Sequence, residues 1–175
     1  YLTLTGFSSG MLETAKKNIE SSALVDFKVV DIQDIPYEDD TFDVVIANMM
    51  LYHVPNLDKG LSEVRRVLKP GGVFYCATYG EHGIMEFIND TLTEYRISGS
   101  IGKTFTLQNG GESLGKHFSK VEKLTREDGL AITHIPDFVD YVLSMSSLSG
   151  LESASAELLL QAFEKKSVNG TLYVP

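Results

Sequence analysis

The sequence predicts an α/β fold in which helices cover both faces of a doubly wound, mostly parallel β-sheet. Three observations carry this expectation. Phe42 to Asn48 (FDVVIAN) is almost continuously apolar and β-branched, as a strand buried on both faces of a parallel sheet requires. From Asn56 onward, Leu57, Leu61, Val64 and Leu68 recur at helical spacing, while Asp58, Lys59, Glu63, Arg65 and Arg66 take the outer face. Pro70-Gly71-Gly72 then stops the helix before a second apolar run, Val73 to Ala77, and completes a β-α-β unit whose crossover is right-handed.

The remaining elements follow in order. Tyr1 to Gly6 alternates and is rich in β-formers, so a strand is under way at the first residue. Ser8 or Ser9 caps a helix with Met11, Leu12, Ala15 and Ile19 on one side, ending near Ser21-Ser22, and Val25 to Asp31 is the second strand. Asn56 caps the central helix, and Lys69 suits the negative end of its dipole. The third and fourth strands are Phe42 to Asn48 and Val73 to Tyr79. Glu81 to Ile97 reads as a helix with Ile84, Phe87, Ile88, Leu92 and Tyr95 near one face. Residues 98–117, rich in Gly, Ser, Thr and Asn, read as a long loop or small insertion. A strand over Phe118 to Arg126, a turn at Asp128-Gly129, helices over Pro136 to Met145 and Leu151 to Lys166, and a closing strand over Thr171 to Val174 complete the chain.

At 175 residues with 43% apolar composition, the chain is expected to form a single domain over 1–175. A net charge of −9 argues against a nucleic-acid or anionic-membrane surface, because phosphate binding depends on Lys and Arg. A small-molecule substrate fits this charge better. The one cysteine excludes an internal disulfide and a cysteine-rich metal site, and no apolar run approaches the roughly 20 residues needed to span a bilayer. A cytoplasmic location is therefore expected.

Residues 26–79 resemble the middle of a class I S-adenosylmethionine-dependent methyltransferase of the small-molecule, type 11-like branch. The resemblance is carried, in order, by Asp31, Ile35-Pro36-Tyr37, Asp39 or Asp40, Thr41-Phe42-Asp43, Val44-Val45, Leu51-Tyr52-His53, Glu63 and Arg66-Val67-Leu68-Lys69-Pro70-Gly71-Gly72. Pro-Gly-Gly alone is generic punctuation, whereas the collinear series is specific. Phe7-Ser8-Ser9-Gly10-Met11-Leu12 and Ala15 extend it toward the start. The resemblance implies a Rossmann-like fold, S-adenosylmethionine as cofactor, and methyl transfer to a small molecule in the complete protein, with this chain as written expected to be impaired.

The resemblance also implies a first strand and an E/D-x-G-x-G-x-G loop upstream of Tyr1, so the chain is expected to be truncated at its N-terminus and clipped at its C-terminus. The first strand would lie centrally, and its neighbours would expose unpaired backbone groups. The gap is expected to be met by a longer natural protein, by closure of the two half-sheets, or by homo-oligomerisation or a domain swap through the strand edges.

Several residues are candidates for the site. Asp31 ends a strand, where ligands of open α/β sheets bind, and its carboxylate suits the adenine exocyclic amine while the Ile32 N–H donates to a ring nitrogen. Its bland alternative is a solvated acid in the run Asp31, Asp34, Glu38, Asp39, Asp40. Gly6 stands where the family places the acid that binds the ribose, next to Phe7. Met11 is expected near the adenine or ribose, and Asn48 and Met49 near the methionine portion; buried methionine is also common core filler. His53, beside Tyr52, is the weak candidate for proton transfer, although methyl transfer from a sulfonium needs in-line positioning more than acid-base help.

His82, His117 and His134 lack metal-ligand spacing, and no metal site is expected. Ile97 to Thr104 (ISGSIGKT) ends like a phosphate loop but lacks its first glycine and follows a helix, and Cys76 reads as a core thiol. The alternative functions are a non-catalytic binding or assembly module of the same fold and, less well supported, a nicotinamide-dependent oxidoreductase, which calls for a G-x-G-x-x-G that is not present.

Overall fold

The computed structural model describes residues 1–19, 24–99, 103–145, 147–151 and 154–175. The expected end of the first helix at Ser21-Ser22 and Gly102 of the GKT triplet lie outside these residues. The chain is α/β and divides into two compact units, Tyr1–Thr78 with Asn109–Val121, and Tyr79–Gln108 with Glu122–Pro175. No helix among the described residues is long and apolar enough to cross a membrane.

In the first unit, β1 (Leu2–Gly6) runs parallel to β2 (Val25–Val29), in register from Leu2 opposite Val25 to Gly6 opposite Val29. Between them α1 (Ser9–Asn18) is capped by the Ser8 hydroxyl, which accepts from the Met11 N–H at 3.3 Å, and it buries Leu12. β3 (Phe42–Asn48) runs parallel to β4 (Leu68–Ala77), with α2 (Leu57–Val67) as the crossover. The Asn56 carboxamide oxygen caps α2 by accepting from the Lys59 N–H at 3.1 Å. Gly60, Leu61, Val64 and Val67 form its buried stripe, one turn of which the apolar spacing had marked.

The Pro-Gly-Gly segment differs from its expected role. β4 already begins at Leu68, opposite Phe42, and the ladder shifts register before resuming at Val44 opposite Val73. Pro70-Gly71-Gly72 is therefore an irregularity inside a strand, with Gly71 at a φ of +81° and no room for a side chain at Gly72, whose Cβ would lie 3.0 Å from the Lys69 carbonyl and 3.1 Å from that of Asp43.

The expectation of helices over both faces of β3 is not met. Val45, Ala47, Phe74 and Cys76 occupy one, partly or fully buried face, while Val44, Ile46, Val73 and Tyr75 stand exposed on the other, Ile46 by 61% and Tyr75 by 59%. A continuous apolar run records that both faces tolerate burial; it does not supply the layer that buries them. The strands also form two separate parallel pairs, β1-β2 and β3-β4, so closure of the two half-sheets by a β1-β3 ladder is absent among the described residues.

The second unit packs α3 (Ile84–Leu92), α5 (Ile135–Leu143) and α6 (Ala156–Glu164) around Ile88, Leu92, Val142, Leu159, Phe163 and Leu172. β5 (Ser98–Gly99) pairs antiparallel with β7 (Leu148–Ser149), and β6 (Leu130–Ile132) with β8 (Leu172–Val174). The segment 98–117 is thus not all loop: it includes β5 and, in the first unit, the short helix α4 (Gly110–Gly115). No strand forms over Phe118 to Arg126. Leu124 is 91% exposed and Val121 is exposed as well, so the apolar residues there have no layer to bury against and no ladder to join.

Candidate functional site

The carboxyl ends of both parallel pairs carry the sequence-marked residues. The loop after β2 is a tight turn in which the Asp34 N–H donates to the Asp31 carbonyl at 3.0 Å. Asp31 Oδ1 accepts from the Gln33 N–H at 2.8 Å and from Gln33 Nε2 at 3.2 Å, while Oδ2 accepts from Nε2 at 3.3 Å. These hydrogen bonds, the backbone one foremost, hold the Asp31 carboxyl below the ordinary aspartate range, so it is an anion at neutral pH. The Ile32 N–H donates to no protein acceptor among the described residues. An ionised acceptor and an unused donor therefore sit on adjacent residues.

This turn is tied to the element that follows β3. Gln33 Oε1 accepts from the Asn56 N–H at 3.0 Å, at the start of α2. The Cβ position of Gly60 lies 3.4 Å from the Ile32 and Val54 side chains, ordinary van der Waals distance, so α2 packs directly against the turn.

Below the turn, α2 grips the segment 35–39. Arg66 Nε and Nη2 donate to the two carboxylate oxygens of Glu63 at 2.8 and 2.7 Å. Arg66 Nη2 also donates to the Ile35 carbonyl at 2.8 Å, and Nη1 donates to the Tyr37 carbonyl at 2.8 Å and to Asp39 at 2.9 Å. Glu63 in turn accepts from the Ile35 N–H at 2.9 Å. Lys28 Nζ lies 4.6 Å from the Tyr37 ring centre, and that ring meets Phe42 edge-on at 5.0 Å.

The Arg66 guanidinium, with help from the Ile35 N–H, holds the Glu63 carboxyl below its ordinary range against the opposing effect of burial. A lowered folded-state value means that stability is present in full above the ordinary glutamate value of about 4.3 and is lost as pH falls through the folded value. Glu63→Gln is expected to flatten the fall in stability between about pH 5 and 3, read from urea unfolding at each pH. Equal slopes in the two proteins would show that this pair contributes nothing to acid stability.

The other candidates are brought to strand ends but not into an enclosed cleft. Gly6 closes β1, its carbonyl accepting from the Val30 N–H at 3.2 Å, and open space surrounds the position of a Cβ. Phe7 is 80% and Met11 76% exposed. Asn48 ends β3 opposite Ala77, and Met49 follows with a φ of +49° while donating its N–H to the Ala77 carbonyl at 3.0 Å. A left-handed methionine at a strand end is strained and is held there by that bond. His53 ends a 3₁₀ turn over Leu51–His53, is exposed, and packs against Tyr52 at 4.4 Å; its ring makes no hydrogen bond among the described residues, so nothing fixes one tautomer for proton transfer. Among the described residues no group of three His, Cys, Asp or Glu is arranged to hold a metal. Burial pushes the Cys76 thiol up, as for an inert core cysteine.

Gln33 and Asn56 were not marked as site residues by the sequence, and Glu63 and Arg66 were read as an outer helix face and as part of the collinear series, with no partner assigned to either. Their i, i+3 spacing signals an ion pair. Nothing in the sequence places the carbonyls of Ile35 and Tyr37 within reach of it.

Residues 1–76 match the profile of a family described as methyltransferase domain. The chain is 28% identical over 162 residues to the ubiquinone/menaquinone biosynthesis C-methyltransferase UbiE of Bartonella henselae, covering 88% of this chain and 61% of that protein. It is 40% identical over 72 residues to a demethylmenaquinone methyltransferase of Clavibacter sepedonicus, covering 41% of this chain and 29% of that protein. The chain thus spans less than two thirds of these relatives. In fold it is similar to the methyltransferase CalH, solved with S-adenosylhomocysteine, at a TM-score of 0.51 and 21% identity over 66% of this chain and 35% of that one.

Proposed function

We propose that the chain is part of a class I S-adenosylmethionine-dependent methyltransferase and that it serves methyl transfer from S-adenosylmethionine to a ring carbon of a small quinone-type acceptor. The observation that carries the reading is the pairing at the end of β2 of an ionised carboxylate, Asp31, with an unused backbone donor, Ile32. Adenine presents the complement on one edge, an exocyclic amine beside a ring-nitrogen acceptor. The relatives named for ubiquinone, menaquinone and demethylmenaquinone chemistry supply the acceptor class.

When bound, S-adenosylmethionine supplies an electrophilic methyl carbon on a sulfonium. The residues assigned here do the holding: Asp31 and Ile32 bind the base, Gly6 and Phe7 border it at the end of β1, with Met11 on the following helix, and Asn48 and Met49 flank the methionine side at the end of β3. The chain's own contribution would be to hold that methyl carbon in line with the acceptor's ring carbon and to leave the displaced ring proton an outlet to solvent. Rate comes from alignment more than from a base, which agrees with the absence of a fixed tautomer at His53.

Calorimetric titration of the chain with S-adenosylhomocysteine tests this. Saturable binding is expected, and no binding at millimolar ligand would sink the reading. A second reading, a non-catalytic binding or assembly module that associates through its strand edges, is favoured by the exposed Val44, Ile46, Val73 and Tyr75 face and by glycine at position 6. It becomes the better one if the ligand fails to bind while the chain self-associates in sedimentation.

A further inference from the structure

We propose that Gln33 is a positioning residue for the adenine site, fixing the Asp31 carboxylate so that the site selects a 6-amino purine over a 6-oxo purine. The inference rests on the reading of Asp31 and Ile32 given above.

The geometry assigns the two ends of the Gln33 amide different tasks. Nε2 donates to both oxygens of Asp31, at 3.2 and 3.3 Å, while Oε1 accepts from the Asn56 N–H at 3.0 Å. The side chain is therefore a bridge from a ligand-facing carboxylate to the capped start of α2, where the Asn56 side chain is itself occupied by the Lys59 N–H. Oδ1 takes the short bond from the Gln33 N–H and one from the amide, whereas Oδ2 receives only the longer contact. Oδ2 keeps acceptor capacity in a plane the bridge holds fixed. A carboxylate at the start of such a four-residue turn is otherwise free to rotate about its last torsion, which is broad and nearly two-fold.

That fixed plane is what gives discrimination. Oδ2 accepts and the Ile32 N–H donates, a pattern matching the amine and ring nitrogen of adenine. Hypoxanthine presents the reverse, a carbonyl and a protonated ring nitrogen, which would set oxygen against carboxylate and leave two donors facing each other. A carboxylate able to swing aside would relax this penalty.

The test compares S-adenosylhomocysteine with S-inosylhomocysteine by calorimetry for the unsubstituted chain, Gln33→Ala and Gln33→Glu. Glutamate keeps the length and the acceptor toward Asn56 but cannot donate to Asp31 when ionised, so it separates donation from packing. Both variants are expected to lose roughly tenfold in affinity for the adenosyl ligand and to move the ratio between the two ligands toward one. Carbon NMR titration of the ligand-free protein is expected to show the Asp31 midpoint raised in Gln33→Ala. Equal loss of affinity for both ligands, an unchanged Asp31 midpoint, or a Gln33→Glu chain that binds as the unsubstituted one overturns the proposal. Failure of the unsubstituted chain to bind either ligand instead overturns the underlying adenine reading, and this inference with it.

Discussion

Asp31→Ala is expected to weaken binding of S-adenosylhomocysteine by roughly 10–100-fold, the range expected when a hydrogen bond to an ionised acceptor is removed from a site. The loss comes from two sources. The ligand amine forfeits its acceptor, and the Gln33 N–H and amide that now serve Asp31 at 2.8 to 3.3 Å are left without it. Asp31→Asn should fall between the two, since an amide keeps one acceptor but turns a donor toward Gln33 or the ligand. The pH dependence has a defined sign. Because the Asp31 carboxyl lies below its ordinary value of about 3.9, affinity is flat from neutrality to below that pH and falls only as the lowered value is crossed. Calorimetry at several pH values measures both effects, and an Asp31→Ala chain that binds within twofold of the unsubstituted one would remove Asp31 from the site.

Phe163→Ala should have the largest effect on stability, because it empties the centre of the second unit. The ring is fully buried, meets Phe138 edge-on at 4.9 Å and stacks with Phe87 at 6.4 Å. Truncating a buried phenylalanine costs about 3–5 kcal/mol, and domains of this size have only about 5–15 kcal/mol in total. Amides of α3, α5 and α6 are therefore expected to lose most of their protection against hydrogen exchange, whereas Phe163→Leu, which refills much of the volume, should keep it. A change in urea-derived stability of less than about 1 kcal/mol for the alanine variant would contradict this account of the core.

Much of the first unit was legible before the structure because its signals are local. Helix α2 is announced by Asn56, by the spacing of Leu61 and Val64 and by the glycines that follow. Asp31 could be placed at a strand end from the sequence, because the apolar run that precedes it stops there. The misreadings share one cause. FDVVIAN and the apolar residues of Phe118 to Arg126 both announce burial, and whether burial occurs depends on a covering layer that the segment itself does not encode. Hence Val44, Ile46 and Leu124 stand in solvent.

The sequence by itself determined the α/β class, the two β-α-β crossovers of the first unit and the caps of their helices at Ser8 and Asn56. Tertiary structure decided which face of β3 and β4 is covered, that Pro-Gly-Gly is an irregularity within β4, and that the outer-face residues Glu63 and Arg66 bind the backbone of Ile35 and Tyr37. It also decided that Gln33 spans Asp31 and Asn56, two positions 25 residues apart in the chain. The division follows from range. Periodicity, capping and turn chemistry act over a few residues and are written in them, whereas a hydrogen bond from one loop to another exists only after the intervening strand and turn have brought its partners together.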